Sequence, residues 1–230
     1  MHLETCLTVV CIILVSLWLI VKSQKLIRPL PNGHKIQYIE DLQFKSGDII
    51  LYHSNPFINW FTNSAWSHVS MVIIGRSGIP RLFEITGTSH YATAKILMPE
   101  LKKELSDNNV VLGLRRLHPP PDEEKLRNFV VDTLQSNTHY EHVYWREFYQ
   151  RLFGTFFPIK ISNLDTWSNK STICSSLIAE AYQYAGILSS SVHPLKILPA
   201  DFGESLDRPL QFVKEFKLGP IIFLRKKHLT

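Results

Sequence analysis

Cysteine is scarce in this chain, with three among 230 residues. Cys6 and Cys11 lie in an apolar N-terminal stretch, so Cys174 is the only cysteine in the rest of the chain. No disulfide can form within that larger part, which excludes a small secreted scaffold held together by disulfides. Cys174 is then either a small buried hydrophobe or a reactive thiol.

Glycine and proline are also few, with 10 and 13 residues, which excludes a collagen-like or low-complexity linker protein. No repeat with a fixed period is present, so a solenoid is not expected. Hydrophobic residues make up 45% of the chain and charged residues 20%, as in an ordinary globular protein rather than a disordered one. The length allows one domain, or at most two small ones.

Excess charge is confined to two places. The net charge of +5 falls to −1 when six basic residues in two clusters are left out. Those residues are Lys22, Lys25, Arg28, Arg225, Lys226 and Lys227. A basic face for nucleic acid is therefore not expected. The GxxxxGK[ST], GxGxxG and GxSxG patterns are absent, so the sequence predicts no nucleotide cofactor and no α/β-hydrolase.

One long apolar run stands at the N-terminus, at residues 3–21, and its basic residues follow it rather than precede it. Its length and flanks favour an uncleaved transmembrane helix over a signal peptide. The predicted organisation is an anchor at 1–22 in a membrane bilayer, a linker at 23–43 and a folded domain at 44–230. The positive-inside rule predicts a single-pass membrane protein whose domain lies in the cytoplasm.

Hydrophobic periodicity and turn residues divide the rest of the chain into strands followed by helices. The predicted strands are residues 48–53, 68–74, 81–86, 110–117 and 221–224, and the predicted helices are 122–134, 143–153 and 174–185. The segregation of strands and helices predicts an α+β fold, with an antiparallel sheet or small barrel packed against helices.

A set of three residues can carry chemistry. Cys174 begins a predicted helix, where the helix dipole favours a thiolate. His68 begins a strand and is a possible base for it. If the hairpin of the second and third strands turns near Ser77, His68 lies opposite Thr86 and Glu84 is its diagonal neighbour on the same face. Glu84 could then orient the imidazole.

A metal site is not predicted. His139, Glu141 and His142 are close in sequence, but their spacing differs from HExxH.

Four short motifs around these residues, in this order, resemble the permuted NlpC-type papain-like hydrolases, in particular the YiiX/YaeF-like amidases. They are Gly47-Asp48-Ile49-Ile50, Ser67-His68-Val69-Ser70-Met71-Val72, Phe83-Glu84-Ile85-Thr86-Gly87 and Ile173-Cys174-Ser175-Ser176-Leu177-Ile178. The resemblance covers roughly residues 44–202. Ser176 and Ile173 depart from it, since the family has an acid and an aromatic residue there.

The resemblance implies a permuted papain-like fold and a Cys174–His68–Glu84 triad that cleaves an amide or related acyl bond without a cofactor. It also implies that Tyr140 positions the substrate, a peptide, amide or lipid-acyl compound. Two alternatives stay open. One is a lipid acyltransferase or phospholipase similar to the lecithin–retinol acyltransferases, although their "NCEHF" signature is absent. The other is a membrane-bound binding module without activity.

Overall fold

The fold is built on one seven-stranded sheet. The computed structural model describes residues 11, 15, 16, 18, 35–54, 64–85, 91–136, 174–203, 209–213 and 215–227. The strands of these residues are β1 (Lys35–Tyr38), β2 (Ile49–His53), β3 (His68–Ile74), β4 (Pro80–Glu84), β5 (Thr93–Ile96), β6 (Val111–Arg115), β7 (Leu117–His118), β8 (Lys217–Leu218) and β9 (Ile222–Arg225). The α-helices are α1 (Leu97–Glu104), α2 (Glu123–Gln135), α3 (Cys174–Tyr184) and α4 (Pro199–Phe202).

The strand order of the large sheet is β1-β9-β6-β2-β3-β4-β5, and β7 pairs with β8 in a separate ribbon. Neighbouring strands are antiparallel except for β1 and β9, which run parallel. The predicted wholly antiparallel sheet is thus wrong: the sheet is mixed. β1 lies within residues 23–43, which the sequence predicted as a linker, and it completes one edge by pairing with the last strand of the chain.

Both faces of the sheet are covered. On one face the core includes Leu51, Val69 and Met71, which pack with residues of α3 and α2. On the other face Ile50 and Val72 pack with residues of α1. Successive strand residues point to opposite faces, so a strand buried on both is apolar throughout. This explains the nearly continuous hydrophobic runs of β2 and β3.

Helix α3 is the central helix of its layer. Eight of its eleven residues are buried, including Cys174 and Tyr182. The Tyr182 hydroxyl donates a hydrogen bond to the Gly47 carbonyl just before β2, which ties the helix to the sheet. Gly186 follows the helix with φ of 73°, a left-handed conformation that glycine adopts without steric cost. The helix predicted to stop at Gly186 is therefore confirmed.

The other predicted elements are confirmed where the structure describes them. Strands β2, β3, β4, β6 and β9 and helix α2 lie within one or two residues of the predicted bounds. Asp122 caps α2 by accepting hydrogen bonds from the backbone N–H groups of Glu124 and Lys125. The helix predicted at 143–153 lies outside the described residues. The sequence did not predict β1, β5, β8, α1 or α4.

The prediction of a membrane-spanning helix is contradicted. Residues 3–21 lie mostly outside the described residues, which include only 11, 15, 16 and 18 of them. No helix within the described part of the chain has both the length and the apolar character needed to cross a bilayer. The transmembrane anchor, the single-pass membrane location and the cytoplasmic placement that depended on it are withdrawn.

Candidate active site

The β3–β4 hairpin brings His68 and Glu84 together. Its ladder runs from Met71↔Phe83 to Ile74↔Pro80, which is the predicted register centred on Ser77. His68 begins β3 and Glu84 ends β4, so both lie at the open end of the hairpin. Their side chains meet there, with 3.0 Å between His68 Nε2 and Glu84 Oε2.

Glu84 is a buried carboxylate with two cationic partners. It is 5% exposed. Its Oε2 contacts His68, and its Oε1 lies 3.2 Å from Lys95 Nζ on the neighbouring strand β5. Burial alone would raise the pKa of Glu84, but the hydrogen bond and charge of His68, aided by Lys95, outweigh it and lower the pKa. Glu84 is therefore ionised at neutral pH and can accept the imidazole N–H.

Cys174 reaches the other side of the imidazole. It is the first residue of α3 as described and is 2% exposed. Its sulfur lies close enough to the His68 side chain and to the backbone N–H groups of Val69 and Ser175 for all three to favour its charged form. Since Nε2 of His68 is held by Glu84, Nδ1 is the ring nitrogen left for the thiol. The side chains of Cys174, His68 and Glu84 thus lie in a row, although Cys174 and His68 are more than 100 residues apart in the sequence.

Cys174 and His68 stabilise each other's charged form. Burial opposes a thiolate, but the His68 charge, the His68 hydrogen bond and the two backbone N–H donors outweigh it and lower the pKa of Cys174. Burial also opposes an imidazolium, yet the charge and hydrogen bond of Cys174, followed by those of Glu84, raise the pKa of His68. Both shifts therefore favour a thiolate beside an imidazolium.

Two residues that the sequence analysis missed support the imidazole. The ring of Tyr52 lies 5.0 Å from that of His68, at an interplanar angle of 60°, and its hydroxyl contacts Ser70 Oγ at 3.1 Å. Lys95 lies opposite Leu82 in the β4–β5 ladder, two residue pairs away from Glu84 and therefore on the same face of the sheet. The signal for Tyr52 was its position in the predicted strand beside His68. Lys95 could be found only after β5 itself had been recognised.

Tyr140 and the histidine-rich segment beside it cannot be placed relative to this site. Tyr140 is outside the described residues, and so are His139, Glu141 and His142. Within the described ranges, no group of three or more His, Cys, Asp or Glu side chains could hold a metal ion.

Comparison with known proteins leaves the chain without an assigned family. No protein-family model matches it, and no curated protein matches its sequence. The resemblance to papain-like hydrolases therefore stays a prediction that depends on the four motifs.

Proposed function

We propose that this protein is a cysteine hydrolase of the permuted papain-like type, which cleaves an amide or related acyl bond with Cys174 as nucleophile, His68 as base and acid, and Glu84 as the orienting carboxylate. The observation that carries the proposal is the arrangement of three side chains, in which His68 contacts Glu84 at 3.0 Å and lies beside the buried thiol of Cys174. This arrangement has the geometry of an activated nucleophile, in which a third group orients the base.

In the acylation half of the proposed reaction, the Cys174 thiolate attacks the carbonyl carbon of the substrate. A C–S bond forms, and the carbonyl π electrons move to the oxygen. The backbone N–H of Cys174 is the proposed donor to that oxyanion. When the intermediate collapses, the bond to the leaving group breaks, and His68 gives its proton to the departing amine or alcohol.

The second half returns the enzyme to its resting state. Water attacks the thioester while neutral His68 accepts a proton from it, and the C–S bond breaks to release the acid. The products are a carboxylic acid and the original thiolate–imidazolium pair. Glu84 stays ionised throughout and stabilises the imidazolium each time it forms. If an amine or alcohol replaces water, the same residues transfer the acyl group instead.

The test is the pH dependence of Cys174 alkylation in the full chain. Iodoacetamide is suitable because it is small and Cys174 is only 2% exposed. Cys11 is an exposed free thiol, so labelling is followed by mass spectrometry of the peptide that contains Cys174. The pKa of a free cysteine thiol is about 8.5. We expect the midpoint for Cys174 to lie well below that pH and to rise in His68→Ala.

The matched control is His193→Ala, which removes an exposed histidine that caps a short 3-10 helix. It should leave the Cys174 midpoint unchanged. Turnover is read with p-nitrophenyl acetate, for which an acyl-enzyme predicts a burst of p-nitrophenol followed by a slower steady rate. A Cys174 that labels only in the free-thiol range and ignores His68→Ala would contradict the proposal and favour a binding module. If Cys174 labels at the expected low pH but no burst of p-nitrophenol appears, the reactive thiol is supported and the acyl-enzyme mechanism is contradicted.

A further inference from the structure

A cleft with a volume of about 450 Å³ opens far from the candidate active site. It lies between α2 and the turn end of the β3–β4 hairpin, where its lining includes Ile73, Gly75 and Ala94 from the sheet side. Its residue on β3 is Ile73, five residues or roughly 17 Å along the strand from His68 at about 3.3 Å per residue, and the lining includes none of Cys174, His68 and Glu84. The cleft is thus separate from the proposed chemistry.

Three arginines line this cleft: Arg76 from the hairpin turn, Arg81 from β4 and Arg127 from α2. Arg127 is the one whose charge is partly balanced, by Glu123 Oε2 at 3.5 Å. Arg81 donates one N–H to the Ala94 carbonyl at 3.1 Å, and this hydrogen bond positions the guanidinium without neutralising its charge. Among the described residues, neither Arg76 nor Arg81 has a carboxylate within ion-pair distance. The cleft therefore carries about two uncompensated positive charges.

Most of the other side chains that line the cleft are apolar, with Asn128 as the exception. Val130 and Ile73 are buried there. Val131 and Leu134, one helical turn apart on α2, remain 42% and 38% exposed at its rim. Large apolar side chains at that exposure gain free energy when a ligand covers them. Cationic guanidiniums and an apolar wall in one cleft match a ligand with an anionic end and an apolar end.

We propose that this cleft binds a small amphiphilic anion, a molecule with one phosphate or carboxylate group joined to an alkyl or aryl segment. The guanidiniums of Arg76 and Arg81 bind the anionic group, since their planar N–H donors match the oxygens of both phosphate and carboxylate. The apolar segment lies on Val131 and Leu134. The volume is in the range of small-molecule sites, which favours such a ligand over a macromolecular partner. This inference does not depend on the proposed hydrolase activity.

The test is calorimetric titration of the full chain with octyl phosphate and with nonanoate, which separates the two anion sources. Octanol and inorganic phosphate are the controls for each half of the ligand. We expect at least one amphiphile to bind about tenfold or more tightly than either half alone. Arg81→Met should weaken that binding about tenfold. The matched control Lys103→Met, which removes an exposed cation on α1 outside the cleft, should leave it unchanged.

A second variant tests the apolar wall. Val131→Thr keeps the shape of the side chain but lowers its apolar character, so it should weaken octyl phosphate and not inorganic phosphate. The proposal is overturned if neither amphiphile binds better than its halves, or if Arg81→Met and Lys103→Met weaken binding equally. It is also overturned if carbamidomethylation of Cys174 abolishes binding while Arg81→Met does not, because the ligand would then occupy the candidate active site.

Discussion

Replacing Glu84 by Gln removes one charge from the candidate site and almost no volume. The carboxylate accepts from His68 through Oε2 at 3.0 Å and from Lys95 through Oε1 at 3.2 Å. A glutamine amide has only one oxygen, so in either orientation its NH₂ group faces one of these two donors. The Lys95 side chain is 37% exposed and can turn to solvent, whereas the side chain of Glu84 is only 7% exposed. In Glu84→Gln, the His68 imidazole therefore still has a neutral hydrogen-bond acceptor, but it no longer has an anionic one.

The size of the effect follows from the type of bond that is lost. Hydrogen bonds to charged groups are worth about 1.5–3 kcal/mol, against about 1 kcal/mol for neutral ones. The exchange at this buried position should thus cost the imidazolium about 1–2 kcal/mol, which is a factor of about 5 to 30 in the population of the thiolate–imidazolium pair. Since Cys174 depends on that imidazolium, its pKa should rise, and acyl turnover should fall by a similar factor.

The assay is the rate of Cys174 alkylation between pH 5 and pH 9 in Glu84→Gln, with circular dichroism as the check on folding. Glu100→Gln is the matched control, because Glu100 lies 3.9 Å from Lys95 Nζ and has no contact with His68 among the described ion pairs. We expect the labelling midpoint to move upward in Glu84→Gln and to stay in place in Glu100→Gln. A folded Glu84→Gln protein with an unchanged midpoint and unchanged turnover would refute the orienting role of Glu84.

Three further predictions concern Lys95, the pH dependence of stability and the packing of Gly203. Lys95→Met should raise the pKa of Glu84 but slow turnover at pH 7 by no more than about fivefold, because the lysine is partly exposed; a larger loss in steady-state rates would contradict that. The folded pKa of Glu84 is lowered, so its ionisation stabilises the fold above about pH 4.3, and that stability is lost as pH falls through the folded pKa. In urea unfolding at pH 3–6, the free energy of unfolding should therefore depend less steeply on pH in Glu84→Gln than in the wild type. An equal dependence on pH in the two proteins would contradict this. Gly203→Ala should destabilise the protein by about 1–3 kcal/mol, since its Cβ would lie 2.6 Å from Trp66 Cδ1; Gly75→Ala, whose Cβ meets nothing nearer than 3.8 Å, is the control in urea unfolding.

Local features of the sequence determined much of the site. The turn residues between Gly75 and Pro80 set the register of the β3–β4 hairpin, and the period of two within each strand then set the face of every side chain. This is why the meeting of His68 and Glu84 could be predicted from residues only 16 positions apart. The C-terminal end of α3 could be predicted in the same local way, because Gly186 adopts a positive φ that glycine tolerates better than other residues.

Where local patterns were weak or misleading, prediction failed. Strand β5 has four residues, Thr-Ala-Lys-Ile, with no clear alternation, and it forms because β4 offers a free edge to pair with. Lys95 was missed for that reason. The apolar run at residues 3–21 predicted a membrane span, whereas no helix within the described residues is long and apolar enough to cross a bilayer.

The amino-acid sequence by itself determined five strands of the large sheet, the β3–β4 hairpin and the three residue types that chemistry of this kind needs. Only the tertiary structure decided that Cys174 lies beside His68, because helix α3 must cross a face of the sheet for its first residue to reach the start of β3. It also decided that β1 pairs in parallel with β9, and that arginines from β4, its turn and α2 line one cleft. Such contacts join residues far apart in the chain, and the packing of buried surfaces, rather than any local pattern, selects them.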